Sequence, residues 1–294
     1  MTEPIGLSVI IPTLNRSEYL LRTIAGVLDQ KYSPLEILVV DQSAQIDEDA
    51  AGLPKASGGI VGYHHVNFCG LPMARNYGWT HARYDAILFL DDDIQCCPEL
   101  LEEHVRCLRL SGVGIVAGAV EDVRHRGVPR SGEKIGYFHP VTGVPAWNFW
   151  AKGQFDVDHA PGGNFSAWRE VFKKCRGIDE VFAVGAALNE ETDFCLRARR
   201  AGYRVLFNGA ARIVHLAAPR GGCRELDPHK YMWGMAHNRA IMIQRHVAWF
   251  YRPPGLARLL ITGAALSVRE RDRRLFTACL SGAIKGITHA RMAG

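Results

Sequence analysis

The chain has 294 residues, of which 48% are hydrophobic and 22% charged, with a formal net charge of +5. This composition excludes a low-complexity or disordered chain. No apolar run reaches the roughly 18 residues of a membrane-spanning helix, so no span is expected. The N-terminal residues lack a secretory pattern, and the eight cysteines form no Cys-x-x-Cys pair. We therefore expect a cytoplasmic protein with reduced thiols.

The first 120 residues alternate strand and helix patterns. Leu7 to Ile11 predicts a strand that Pro12 stops, and residues 17–30 show helical spacing with Ser17 as N-cap. Further along, the predicted elements are a strand at 36–40 that ends in Asp41, a short strand at 60–63, a helix at 71–83 and a strand at 87–90. Such alternation predicts an α/β fold with a mainly parallel sheet and helices on both faces.

Three carboxylates, Asp91, Asp92 and Asp93, follow the apolar strand at 87–90. Carboxylates this close repel one another unless a cation lies between them, and a divalent ion with oxygen ligands meets that need. The alternative is a solvated acidic turn. Asp41 ends another strand of the same predicted sheet, and ligands of open parallel sheets bind beyond the carboxyl ends of the strands. We therefore group Asp41 with the three aspartates.

Residues 112–117 match the Gly-x-Gly-x-x-Ala pattern of dinucleotide-binding turns. However, residues 102–110 before the pattern predict a helix, and residues 115–120 predict a strand. A dinucleotide turn requires the opposite order, strand and then helix. The pattern therefore does not indicate dinucleotide binding.

Residues 124–160 are rich in Gly, Pro, His and Trp and predict a long loop that could face a substrate. Trp147 and Trp150 within it could stack on sugar rings or belong to the core. A helix at 190–200 and a strand from Arg204 to Phe207 are predicted next.

The residues from about 230 onward predict helices with a basic character. Residues 230–294 hold eleven Lys and Arg against two acids, a net charge of +9, whereas the preceding residues carry −4. A basic tail on an acidic body indicates a patch for an anionic surface. Nucleic acid is disfavoured because no basic motif is interleaved with aromatic residues. The helices could lie on the inner face of a membrane or pack as a lid on the body.

Several motifs in fixed order resemble those of family 2 glycosyltransferases, which have the GT-A fold. The motifs are Val9 to Arg16, Leu38 to Ser43, the Ala-Arg-Asn-x-Gly helix within Gly70 to Gly78, Asp91 to Asp93 as the Asp-x-Asp signature, Gly162 to Phe165 with Arg169, Glu190 to Arg197, and His215. The resemblance covers about residues 5–220. It implies a catalytic domain over 1–229, with nucleotide-sugar binding in about 1–120 and the acceptor side in about 121–229. Residues 230–294 would form a basic helical C-terminal region.

The resemblance also implies which residues bind the donor. They are Pro12, Thr13, Asn15, Arg16, Asp41, Ser43, Arg75, Asn76, Asp91 and Asp92. Asp41 could accept a hydrogen bond from the imide N–H of uracil or thymine, which favours a UDP- or dTDP-linked sugar. Three of these residues have a structural alternative: Asp41 as a helix N-cap or turn residue, Asn15 as a helix cap, and Arg75 in a salt bridge.

The remaining implied roles are those of metal, base and acceptor. Asp93 and His215 would bind Mn²⁺ or Mg²⁺, while Gly163, Asn164 and Glu190 would lie on the acceptor side. Glu191 would be the catalytic base. The family carries Glu-Asp where this chain has Glu190-Glu191, so Glu190 is an alternative base. Asp193 could only cap its helix or pair with Arg197.

Together these features predict a metal-assisted inverting glycosyltransferase. Its acceptor would be a glycan or a lipid-linked intermediate of cell-envelope polysaccharide synthesis, reached by peripheral contact with the membrane. Two alternatives remain: a sugar-phosphate nucleotidyltransferase, and a non-catalytic protein that binds nucleotide sugars.

Overall fold

The computed structural model describes residues 4–123 and 134–292. The first half contains β1 (Leu7–Thr13), α1 (Ser17–Leu28), β2 (Leu35–Asp41), α2 (Glu48–Ala56), β3 (Val61–His65), α3 (Leu71–His81), β4 (Ala86–Leu90), β5 (Ile94–Cys96), α4 (Leu100–Leu108) and β6 (Val113–Asp122). The second half contains β7 (Tyr137–Phe138), β8 (Pro145–Ala146), β9 (Gln154–Asp156), β10 (Asn164–Trp168), α5 (Arg169–Cys175), α6 (Glu190–Arg200), β11 (Arg204–His215), α7 (Pro228–His246), α8 (Arg252–Arg269) and α9 (Arg273–Met292).

The central sheet has the strand order β3-β2-β1-β4-β10-β6-β11-β5, and β9 lies beside β11. Strands β1 to β4 pair in parallel, as do β6 and β11, whereas β10 runs antiparallel between β4 and β6. All residues of β1 and β4 are buried, because apolar clusters cover both faces of the sheet. The predicted α/β fold with a largely parallel sheet is confirmed.

Several predicted elements need correction. The first strand does not stop at Pro12 but continues to Thr13. Strand β4 pairs with β1 only as far as Ile10, so the missing N–H of Pro12 interrupts no ladder on that side. Ser17 is not the N-cap of α1. Arg16 occupies that position, and no side chain caps the helix.

The predicted strand at 204–207 is too short, since β11 runs on to His215 with a register shift after Asn208. The side chain of Asn208 is buried and donates to Glu103 at 2.7 Å, so the chain continues through this polar residue instead of turning. By contrast, the helix at 190–200 is confirmed, and α4 precedes β6 around residue 112 as predicted. Residues 137–160 of the predicted loop contain only short strands, and 124–133 lie outside the described residues.

Helices α7, α8 and α9 share an apolar cluster of their own that includes Met232, Leu259 and Cys279. Helix α7 is also bonded to the segment before α6. The side-chain Nδ2 of Asn238 donates to the carbonyl oxygens of Phe182 and Leu188 at 3.1 and 2.9 Å. None of the described helices combines the length and the apolar character that crossing a bilayer requires.

Candidate active site

The carboxyl ends of β1, β2 and β4 meet at one edge of the sheet. Asp41 ends β2 and is the register partner of Thr13, which ends β1. The hydroxyl of Thr13 donates to Oδ2 of Asp92, just beyond β4, at 2.7 Å. The aspartates that the sequence groups together therefore do lie at a common edge.

Arg16 offsets part of the negative charge of this edge. Its Nη1 donates to Oδ1 of Asp92 at 2.8 Å and lies 3.3 Å from Oδ2 of Asp93. The backbone carbonyls of Arg220 and Gly221 hold the same guanidinium at 2.9 and 3.0 Å. Burial nevertheless raises the pKa of Asp92 to about 6, against the opposing charge of Arg16. One arginine thus leaves the acidic cluster short of positive charge.

Asp91, Asp93 and His215 form the candidate metal site. One ligand atom from each lies within 4.8 Å of the others. Nε2 of His215 is 3.2 Å from Oδ1 of Asp93, while its Nδ1 is 3.4 Å from Oδ2 of Asp122. Burial acts to raise the pKa of Asp93, but His215, Arg16 and the amide of Ala218 outweigh it and hold that pKa below its usual value.

The surroundings of Oδ1 of Asp93 indicate whether a cation fits this site. Oδ1 of Asp93 is buried and has no hydrogen-bond partner among the described residues, whereas Oδ2 accepts from the amide of Ala218 at 2.8 Å. A buried carboxylate oxygen without a donor, facing an imidazole and a second carboxylate, matches the ligands of Mn²⁺ or Mg²⁺. The residues therefore fit the predicted ion. Asp91, for which the family pattern allows either the ribose or the metal, joins Asp93 and His215 as a third candidate ligand.

Arg75, Glu190 and Glu191 form a buried charge cluster beside this site. Nη1 of Arg75 donates to Glu190, and its Nη2 donates to the carbonyl of Gly162 at 2.8 Å. Arg75 thus makes the salt bridge that was the alternative to donor contact, although its Nη2 also lies 3.9 Å from Asp91. The hydroxyl of Thr192 donates to Oε1 of Glu191 at 3.0 Å. Burial, followed by the charge of Glu190, raises the pKa of Glu191 well above its usual value.

A cavity of about 580 Å³ opens along this edge. Of the predicted site residues, those that line it are Pro12, Thr13, Arg16, Asp91, Asp92 and His215. Asp41 lies beneath it, where its oxygens accept from the hydroxyl of Tyr63 at 2.5 Å and from the amide of Ser43 at 2.9 Å. The hydroxyl of Ser43 in turn accepts from the amide of Asn15 at 2.8 Å. These contacts give Asp41, Ser43 and Asn15 a role in shaping the loop that follows β1.

Two residues that were predicted to contact the substrates, Asn76 and Asn164, bond to other parts of the protein instead. Asn76 lies outside this cavity, and its side-chain amide bonds to both the carbonyl and the amide of Ile178, at 2.8 and 2.9 Å. Asn164 is fully buried and bonds to His104 and to the carbonyls of Ala119 and Ala211. Their amides are satisfied within the protein, so Asn76 fixes a turn and Asn164 belongs to the core. Gly163 is required by packing, because a Cβ there would lie 2.2 Å from Oδ2 of Asp91.

Part of the lining of the cavity was not predicted from the sequence. Residues 222–226, which follow β11, line it. Gly221 and Gly222 both have positive φ angles, and a Cβ on Gly222 would lie 2.6 Å from the guanidinium carbon of Arg16. A glycine pair shortly after His215 is a sequence signal for such a close approach. The family resemblance, however, extends only to about residue 220.

Comparison with known proteins gives matches of sequence and of structure. The chain is 31% identical to the poly(ribitol-phosphate) β-N-acetylglucosaminyltransferase TarP of Staphylococcus aureus over 91 residues, which are 30% of this chain and 28% of TarP. The matched segments span less than a third of the curated relatives.

Two solved structures resemble the chain over most of its length. Residues 1–349 of S. aureus TarS in complex with UDP-GlcNAc align with a TM-score of 0.65 and 16% identity, covering 96% of this chain and 82% of that one. The mannosyltransferase PcManGT from Pyrobaculum calidifontis, in complex with GDP-Man and Mn²⁺, gives 0.61 and 18%, covering 97% and 88%. At these identities the likeness shows a shared GT-A fold. The family model described as glycosyl transferase family 2 matches residues 8–175, more than half of the chain, and the chain therefore belongs to that family.

Proposed function

We propose that the chain transfers a sugar from a nucleotide-diphosphate donor to an acceptor hydroxyl, with inversion at the anomeric carbon. The observation that carries the proposal is the arrangement of Asp91, Asp93 and His215 beside a cavity of about 580 Å³ at the carboxyl ends of the strands. A nucleotide diphosphate bound in this cavity would bring its phosphates to the three ligands. Family membership agrees with this chemistry.

The donor side would work by charge compensation. Asp91, Asp93 and His215 would hold Mn²⁺ or Mg²⁺, which when bound neutralises negative charge on a departing diphosphate. Arg16 lies at the same edge, and its guanidinium would add positive charge near the phosphates. The preference for a UDP- or dTDP-linked sugar rests on the predicted contact of Asp41 with the imide N–H of uracil or thymine, for which Asp41 would use lone pairs left beside its bonds from Tyr63 and Ser43.

The acceptor side would work by proton removal. The acceptor oxygen attacks the anomeric carbon as the bond to the diphosphate breaks, and Glu191 takes the hydroxyl proton. Burial also raises the pKa of Glu190, against the opposing charge of Arg75, but the pKa of Glu191 is raised further, so Glu191 once ionised is the stronger proton acceptor of the pair. This division supports Glu191 over Glu190 as the base.

The acceptor would be a glycan or lipid-linked intermediate of envelope polysaccharide synthesis. The name of TarP, a glycosyltransferase that acts on poly(ribitol-phosphate), supports an envelope polymer. The C-terminal helices support action at the inner face of the membrane. Ile261 and Val268 on α8 are 67% and 78% exposed, and Trp249 just before it is 75% exposed. An outward apolar stripe flanked by arginines is typical of helices that lie on an anionic bilayer.

Incubation with a panel of nucleotide sugars, with and without Mn²⁺, tests the proposed reaction. We expect metal-dependent release of a nucleotide diphosphate in the presence of acceptor. Release of pyrophosphate from a sugar phosphate and a nucleoside triphosphate would instead identify a nucleotidyltransferase. Metal-dependent donor binding without turnover across acceptor extracts would identify a non-catalytic binding protein.

A further inference from the structure

A second cavity, of about 220 Å³, lies between α7, α8 and the loop after β7. Arg239 of α7 and Arg258 of α8 line it together with the side chains of Thr142 and Thr262. No acidic residue is among the lining residues. The cavity is separate from the acidic edge described above, and it has the opposite charge.

Arg239 is the least compensated cation of this cavity. Its Nη1 donates to the carbonyl of Gly143 at 3.2 Å, but its buried Nε has no partner among the described residues. Neither Arg239 nor Arg258 makes a salt bridge within 4–123 and 134–292. Burial, followed by the charge of Arg258, lowers the pKa of Arg239 to about 10. The fold therefore holds two guanidinium groups near each other without a counterion.

Like charges in a partly buried cavity disfavour the folded state unless an anion lies between them. A guanidinium presents its N–H groups in a planar fork that matches two oxygens of a phosphate. The hydroxyl of Thr142 offers a neutral donor beside the two charges, whereas that of Thr262 donates to the carbonyl of Arg258 at 2.9 Å.

The cavity opens on the apolar face of α8. Arg258 and Thr262 are exposed, and Ile261 lies between them in sequence on the outward stripe. We propose that Arg239 and Arg258 form a binding site for a phosphate group, either the headgroup phosphate of a lipid or a free phosphate. The lipid source rests on the membrane contact proposed above. The site itself does not depend on transferase activity.

Binding by the full chain tests this site in two arms. The first arm follows the melting temperature as inorganic phosphate is added. The second follows cosedimentation with vesicles of phosphatidylcholine, with or without phosphatidylglycerol. R239Q and R258Q each remove one lining guanidinium. R269Q is the matched control, because Arg269 is on α8, is exposed and pairs with Glu270 outside the cavity.

We expect R239Q and R258Q to weaken phosphate binding about tenfold, and R269Q to leave it nearly unchanged. R239Q should not lower the melting temperature without phosphate, because it removes an uncompensated charge. If R239Q and R258Q weaken binding in both arms, the ligand is the phosphate of a lipid. If they weaken only the binding of inorganic phosphate in the first arm, the ligand is a free phosphate. If the wild-type chain responds in neither arm, or if R269Q weakens the binding of inorganic phosphate in the first arm as much as the other two variants do, the site does not exist.

Discussion

The strand edge and the C-terminal helices differ in how they balance charge. At the edge, Asp91, Asp92 and Asp93 have only Arg16 and the more distant Arg75 as guanidinium partners among the described residues, where Oδ1 of Asp93 also accepts no hydrogen bond. Between α7 and α8, Arg239 and Arg258 face a cavity without acids. In the core, by contrast, Arg75 pairs with Glu190 inside the protein. The excess of carboxylates at the edge and of guanidinium groups between α7 and α8 is the basis of the cation site and the phosphate site proposed here.

The largest expected effect concerns the base. Glu191→Gln should lower turnover by about 10²- to 10⁴-fold while donor binding is kept, because the amide cannot take the acceptor proton. The pKa of Glu191 is raised by burial and by Glu190, so wild-type turnover should also increase as pH rises through that pKa. The exposed Glu170→Gln is the control. Full activity of Glu191→Gln would transfer the role to Glu190.

A second prediction concerns the buried ion pair between Arg75 and Glu190 and its effect on stability. Arg75→Met leaves the buried carboxylate of Glu190 without its partner, and should lower the free energy of unfolding by about 3–5 kcal/mol. Urea unfolding measures this loss. The control is Arg83→Met, since Arg83 is exposed and lies 3.8 Å from Glu36, and it should cost less than about 1 kcal/mol. Equal losses would show that burial of the pair is not decisive.

A third prediction concerns His104, a buried histidine whose contacts are uncharged, and the pH dependence of stability. His104 bonds to Ser166 and Asn164, and burial lowers its pKa to about 4. Because the unfolded pKa is near 6.5, the folded state binds fewer protons between these values. The contribution of His104 to the free energy of unfolding should be fully present above about pH 6.5. It should fall by about 3 kcal/mol as the pH approaches 4. His104→Gln should flatten this dependence in urea unfolding. An unchanged slope would assign the acid sensitivity to other groups.

The smallest expected effect concerns the apolar part of the C-terminal face. Trp249→Ser should weaken binding to phosphatidylglycerol vesicles by about tenfold or less, since partial burial of an aromatic side chain contributes less than the roughly 1.5–3 kcal/mol of full burial. Trp147→Ser is the matched control, because Trp147 is also exposed but lies on the loop before β9. If both variants bind vesicles equally, the outward stripe of α8 is not a lipid contact.

The meeting of Asp41 with the three aspartates could be predicted because parallel strands end at one edge of a sheet. His215 was assigned to it by family resemblance. The partners of Asn76 and Asn164 could not be predicted, since each is set by packing between segments far apart in sequence. The same holds for Arg239 and Arg258, whose cavity exists only where α7 and α8 meet the loop at 142–144.

Electron paramagnetic resonance of added Mn²⁺, in the presence of UDP, measures whether the acidic edge holds a cation with a diphosphate. We expect one tightly bound ion in the wild-type chain and affinity at least about tenfold weaker in Asp93→Asn, which removes the charge of a ligand. Asp85→Asn, at an exposed carboxylate paired with Arg169, should bind like the wild type. Equal Mn²⁺ affinity in all three chains would contradict a metal site formed by Asp91, Asp93 and His215.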